Sequence, residues 1–348
     1  MNFCIHELIA TIILSIIIMT LAGCWDRVEI ESRAFAMAVG VDSSDDEFTF
    51  SVIKAHTNND ENENGENTSA NGQTLVEAMH RLNAQSSQEL FLGQTKSAVF
   101  STNLLEDEQK FRQTVGLLES LAEVDRMITI LATNEDVPEV LNASPTEDAK
   151  SGYYVVRFYR LAPKSGGLSF HQTLESMMAD LRLTGDTLIP LIDDEGTAAG
   201  AAVIKNLNMA GQLDGEELRG LLWAKSHACE EAVLGENIPM IVRRHRSSFR
   251  FNEKDGKLQC IIDVRIKGEI SRFWGDTPAS LEYEQLIAEE IKKSVQLIQQ
   301  ELEVDALNLK RALQKKQRSL YNKYANDWDE NFRKMEIVPM VKCRIKVV

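Results

Sequence analysis

Apolar positions along the chain change their period several times, and each change marks an element. Residues Leu8 to Thr20 (LIATIILSIIIMT) are uncharged and almost wholly apolar, yet the run is shorter than the roughly twenty residues that a spanning helix needs. Two β-branched and aromatic runs, Phe35 to Val41 and Phe48 to Ile53, flank a polar Asp/Ser turn and predict a β-hairpin. Thr57 to Gln73 (TNNDENENGENTSANGQ) holds no large apolar side chain, so a mobile, solvated loop is expected there. Beyond it, Leu75, Ala78, Met79 and Leu82 fall at helical spacing, Thr95 to Ser101 reads as a strand, Leu104 to Ala122 as an amphipathic helix and Arg126 to Ala132 as a strand. This alternation runs to about residue 190 and closes at the polar turn Asp193-Asp194-Glu195-Gly196.

A second unit opens with Thr197 to Lys205, rich in Ala and Val, and a helix with Asp214 as its expected cap and Glu216 and Glu217 in its first turn. Met240 to Phe251 and Leu258 to Ile270 follow as strands joined by NEKDGK, where Asp255-Gly256 is a strong hairpin signal. In the later strand Leu258, Cys260, Ile262, Val264 and Ile266 alternate with Gln259, Asp263, Arg265 and Lys267, so one face is buried and the other polar. The third unit pairs a long helix over Leu281 to Leu302, striped by Ile287, Ile291, Val295 and Ile298, with a second helical stretch over about Leu307 to Phe332. It ends on a strand with Ile337, Val341, Cys343, Ile345 and Val347 inward and Lys342, Arg344 and Lys346 outward. The expected fold is α+β: three consecutive domains of mixed sheets flanked by helices, over residues 24–195, 196–270 and 271–348, behind a signal peptide of residues 1–23.

The short apolar run fits a signal-peptide core, and Leu21-Ala22-Gly23-Cys24 follows it directly. Small residues at 22 and 23 let an extended chain enter a narrow peptidase cleft, and a thiol just past the cut supplies the sulfur for thioether lipidation, so LAGC has the pattern of a lipobox. The expected covalent groups are diacylglycerol and an N-acyl chain such as palmitate on Cys24, with no other cofactor. Two acyl chains, at about 0.8 kcal/mol per buried CH₂, hold a protein on a membrane far better than one. A plain N-terminal anchor helix is the competing reading, because the leading MNFCIHE lacks the usual Lys or Arg.

Charge and composition narrow the partners. The chain has 348 residues and a net charge of −15, or −14 without residues 1–23, in which Glu7 is the lone charge. Such a charge repels nucleic acid phosphates and anionic lipid headgroups, so neither is an expected general partner and membrane contact is expected through the covalent anchor. With Cys4 removed and Cys24 lipidated, Cys229, Cys260 and Cys343 remain, too widely spaced for a CxxC site. Neither a GxSxG elbow nor HExxH, Walker or GxGxxG signatures occur. His56, His80, His171, His227 and His245 are scattered, and the acid pairs Asp45/Asp46, Asp193/Asp194 and Glu216/Glu217 lie in turns or helix starts, so no catalytic or metal site is expected. Arg243, Arg244, His245, Arg246 and Arg250 form a concentrated positive stretch that reads as a solvated strand face or a dock for an acidic partner.

One string goes further. Gly23-Cys24-Trp25-Asp26-Arg27 with Glu29-Ile30 and then Ala38-Val39-Gly40-Val41-Asp42 resembles the start of the Ger(x)C family, the lipoprotein C subunits of spore germinant receptors. Gly72, Glu77-Ala78, Leu92-Gly93, Gly200, Ala202-Val203, Gly211-Gln212-Leu213, Trp328 and Phe332 agree in order, whereas Gln94 stands where the family commonly has histidine. The resemblance implies a three-domain α+β, non-enzymatic protein on the outer face of the spore inner membrane, partnered by the integral-membrane A and B subunits in nutrient-triggered germination. It leaves open whether this subunit binds a small molecule itself. Competing classes are a solute-binding lipoprotein of a transporter, which needs a two-lobed cleft, and a surface hydrolase, which needs a nucleophile–base pair in a pocket.

Overall fold

A computed structural model describes residues 29–44, 47–55, 67–143, 170–225, 231–234, 238–271 and 280–348, with Thr11, Ile13, Ser15 and Val155 as isolated positions. The expected hairpin forms from β1 (Arg33–Ser44) and β2 (Glu47–Lys54), which run antiparallel with Val41 opposite Phe50. The reading of Thr57 to Gln73 as loop throughout is corrected at its end, where β3 (Asn67–Gly72) pairs with β2; residues 56–66 lie outside the described residues. An edge strand needs backbone donors and acceptors more than large side chains, and small Ala70 and Gly72 are buried there. Thr74 then starts α1 (Leu75–Ala84), its hydroxyl oxygen accepting the Glu77 N–H at 3.1 Å.

Next come β4 (Glu89–Phe91) and β5 (Ser97–Ser101). The helix expected over Leu104 to Ala122 is divided into α2 (Thr102–Leu105) and α3 (Glu108–Ser120), because the Asp107 carboxylate accepts the Lys110 N–H at 3.0 Å and caps a fresh start. Then β6 (Thr129–Thr133), α4 (Val137–Leu141), α5 (Leu174–Leu183), β7 (Asp186–Ile192), β8 (Ala198–Lys205) and β9 (Asn208–Leu213) complete a nine-stranded sheet. Its order is β3-β2-β1-β5-β6-β7-β8-β9, with β4 also on β1. The centre, β1 through β7, is parallel, and both flanks are antiparallel. Helices cover both faces. Leu75, Phe111 and Leu174 pack with Phe50, Phe100 and Ile130 on one, and Val137, Val140 and Leu141 pack with Ala38, Val99 and Leu131 on the other. A parallel centre buried on both faces accounts for the apolar runs in these strands.

The Asp193–Gly196 turn joins antiparallel neighbours β7 and β8, with the Asp193 carboxylate accepting the Thr197 N–H at 2.6 Å. Hydrogen bonding therefore runs across it, and residues 196–270 are shared between two sheets. The second sheet, β10 (Glu231–Leu234), β11 (Ile238–Lys254), β12 (Lys257–Ile270) and β13 (Glu336–Val347), has β13 parallel to β12. The β11–β12 turn uses Asp255 and Gly256, both at positive φ, as their hairpin signal requires. Between the sheets lie α6 (Gly215–Lys225) and α7 (Ser280–Gln296), the latter continued by a π turn at Leu297–Glu301. The helical stretch after Leu307 consists of three short helices, α8 (Leu309–Lys316), α9 (Arg318–Tyr324) and α10 (Trp328–Lys334), interrupted where Gln317 and Asp327 leave helical backbone angles.

Helices α6 and α7 meet at Gly220. A methyl group there would stand 2.0 Å from Ser294 Oγ and 2.4 Å from the Glu290 carbonyl oxygen, inside any real carbon contact. The same crossing buries the Glu290 carboxylate, which accepts the Trp223 indole N–H at 3.0 Å and pairs with the Arg219 guanidinium. In an open helix Gly→Ala gains about 1 kcal/mol. Here Gly220→Ala is expected to lose about 1–3 kcal/mol through overpacking, read as an earlier midpoint in urea unfolding; a gain would mean that the helices do not touch at this point.

Candidate functional site

The residues singled out for the anchor, Leu21, Ala22, Gly23 and Cys24, and Trp25, Asp26 and Arg27 after it, lie outside the described residues. Glu29 is described and exposed; its carbonyl oxygen accepts the Ser32 hydroxyl at 2.7 Å at the entry to β1. The chain thus enters the large sheet at β1, one of its inner strands, whose first residue Arg33 lies nine positions beyond Cys24. The string Ala38-Val39-Gly40-Val41-Asp42 lies within β1 and serves packing: a methyl on Gly40 would stand 2.3 Å from Val137 Cγ1, so α4 can seat on the strand only over a glycine. Trp328 and Phe332 stack in the core, ring centroids 6.3 Å apart, and Gln94 is exposed at a 3-10 turn.

Among the other candidates, Cys229, His56, His227, Asp45 and Asp46 lie outside the described residues. Cys260 is fully buried, which raises its thiol pKa, and burial pushes the Cys343 thiol up to about 12, so both stay protonated near neutrality. His80 is exposed, His171 Nε2 lies 3.2 Å from Thr129 Oγ1, and the half-buried His245 ring meets Trp223 edge to face at 5.1 Å. Among the described residues no group of three His, Cys, Asp or Glu side chains is placed to hold a metal ion, and no helix is long and apolar enough to cross a membrane. A cavity of about 450 Å³ opens beside α3 and α5, lined by Arg112, Val115, Met178, Leu181, Arg182 and Leu207. All of these belong to the large sheet and its helices, so the cavity is no cleft between two lobes.

What sequence reading did not find is a buried charged junction between the sheets. The Thr173/Ser176 capping box starts α5, whose last turns carry Asp180, and β7 begins with Asp186. At the end of α6 stands Lys225. From the far side the connection Glu303 to Asn308, with positive φ at both ends, reaches back to meet them. The Asp305 N–H donates to Asp186 Oδ2 at 2.8 Å, while the Asp305 carboxylate accepts the N–H groups of Leu309 and Lys310 at 2.8 and 2.9 Å and so caps α8. Lys225 Nζ donates to the Ala306 carbonyl at 2.9 Å. Asp180 receives the Asn308 amide at 3.2 Å and the Arg311 guanidinium at 2.8 Å. At the rim, Glu303 lies 3.4 Å from Lys205 and 3.2 Å from Arg333.

Asp180, Asp186 and Asp305 are each at most 5% exposed. Burial raises Asp186 to about 6, against the pull of the Asp305 N–H, and raises Asp305 to about 7, against the two N–H groups it accepts. Burial likewise raises Asp180, opposed by Arg311, and lowers Lys225, opposed by Asp180 and Asp305. With these donors already engaged, the carboxylates tie the C-terminal segment to the large sheet. A carboxylate whose folded pKa lies above its unfolded value stabilises the fold most when protonated, and that contribution is lost as pH rises. Stability is therefore expected to fall between about pH 4 and pH 7 through this cluster. Asp186→Asn is expected to reduce the fall in stability across this range by about 1–3 kcal/mol, measured by urea unfolding at several pH values; an unchanged fall would show that Asp186 titrates normally.

Comparisons with known proteins agree with this architecture. The family described as the spore germination protein N-terminal domain matches residues 26–194. A second, described as spore germination B3/GerAC like, C-terminal, matches residues 199–348. No match was found among curated proteins. The crystal structure of the GerBC protein superposes with a TM-score of 0.54 at 15% identity, covering 92% of this chain and 99% of that one, which indicates a shared fold.

Proposed function

The chain belongs to the GerAC-like family of spore germination proteins, and from that premise we propose that it is the lipid-anchored C subunit of a nutrient germinant receptor. The observation that carries this reading is one of order: two family domains follow each other across residues 26–194 and 199–348, directly behind the lipobox Leu21-Ala22-Gly23-Cys24. Cleavage before Cys24 and its modification by diacylglycerol and an N-acyl chain fix the protein to the outer face of the spore inner membrane. Eight residues separate Cys24 from β1, so the anchor keeps the start of the large sheet within roughly 30 Å of the lipid.

The role is non-catalytic. Holding the protein at the membrane turns a three-dimensional search for the integral-membrane A and B subunits into a local one and raises its effective concentration beside them. Protein contacts then support receptor assembly and transmission of the nutrient signal. The charged junction keeps both sheets in one body while they do so.

Cys24→Ala is expected to abolish acyl labelling, release the protein from the membrane fraction and weaken nutrient-triggered germination, followed as loss of spore refractility. Normal anchoring and response in this variant would sink the proposal. Native protein purified from spore inner membranes is expected to bring two multi-span subunits with it, identified by mass spectrometry. Recovery with a permease and an ATPase would instead assign it to solute transport.

A further inference from the structure

The outward face of the second sheet departs from the rest of this acidic protein. Register places Arg246, Arg265 and Lys342 directly beside one another on β11, β12 and β13, and Arg244, Lys267 and Arg344 in the next outward row. All six are exposed. Neighbouring strands lie about 4.8 Å apart and successive outward residues about 6.7 Å apart, so six cations share a small patch. Like charges directly opposite each other destabilise a sheet.

Three other cations on this face are matched: Arg243 pairs with Glu269 at 2.8 Å, Lys254 with Glu336 at 3.3 Å, and Arg250 with Asp263. Among the described residues none of the six makes an ion pair. The chain as a whole carries −15, so six cations without ion-pair partners in one patch stand out against an acidic protein. Helix α7 and its neighbours cover the opposite, inward face, and among the described residues no helix packs on this one.

We propose that this face rests on an anionic phospholipid surface. The array is an open patch of two rows across three strands, with all six side chains exposed. Such a grid matches charge spread over a plane of headgroups. Exposed Ile241 and Met340 lie on the same face and add apolar contact at the headgroup boundary. Repulsion of the acidic remainder turns the molecule so that this face meets the lipid. The inference stands on the sheet and does not require the anchor at Cys24; an anchor would only hold the face within reach.

Lysine acetylation of the full-length chain, read by mass spectrometry, tests it. On vesicles containing phosphatidylglycerol, labelling of Lys267 and Lys342 is expected to drop at least about fivefold relative to phosphatidylcholine vesicles and to recover at high salt. Lys293, exposed on α7, is the unchanged reference. Replacing Arg246 and Arg265 together by Gln, which alters only exposed side chains, is expected to lower affinity for the anionic vesicles by about fivefold per cation. Equal labelling of Lys267 and Lys342 on both vesicle types overturns the proposal. Protection by polyglutamate without protection by anionic vesicles overturns it too, assigning the face to an acidic protein segment.

Discussion

Burial of Asp180, Asp186, Lys225 and Asp305 between the two sheets is the constraint on which the rest of the structure depends. Dehydrating each ion costs several kcal/mol, and only partners of good geometry offset that cost. The partners come from separated parts of the chain. Backbone N–H groups of the Glu303 to Asn308 connection and of α8 meet carboxylates of β7 and of the connection itself, and Lys225 from α6 meets the Ala306 carbonyl. Pulling the sheets apart would leave these groups buried and unmatched or force them into water one by one. The positive backbone angles at Glu303 and Asn308 follow from the same demand, since the connection must double back to present its N–H groups.

Around this junction the helices are placed by close approach. Gly220 lets α6 reach the backbone of α7, and Gly40 lets α4 seat on β1, so at both contacts the missing side chain determines how near the layers come. Glu290 occupies the same crossing as Gly220, where Trp223 and Arg219 satisfy its oxygens. The family string in β1 is therefore explained by packing. A body closed in this way presents its outer surfaces to partners, which fits a subunit acting through contacts.

Much of the fold was legible because the relevant forces are local. Alternation in Leu258 to Ile266 marks a strand with one buried face, Asp255-Gly256 marks its hairpin, and the stripe from Ile287 to Ile298 marks the long helix. Errors arose where local pattern is silent. Asn67 to Gly72 looks like loop because an edge strand relies on backbone bonding to β2, which composition does not report. The breaks at Asp107 and Gln317 depend on caps and backbone angles within otherwise helical stretches. The Asp193 to Gly196 turn, where one family domain gives way to the next, also links two neighbouring strands of one sheet.

By itself the sequence determined most of the elements and the family, since each is written in the order of nearby residues. Tertiary structure alone decided which distant groups meet. Asp186 and Asp305 are separated by more than a hundred residues, and nothing in either neighbourhood announces that they will share a buried site. Arg246, Arg265 and Lys342 are in turn ordinary outward residues on three strands until register sets them side by side. Charge acts through space, and its effect on this protein exists only once the chain has brought those positions together.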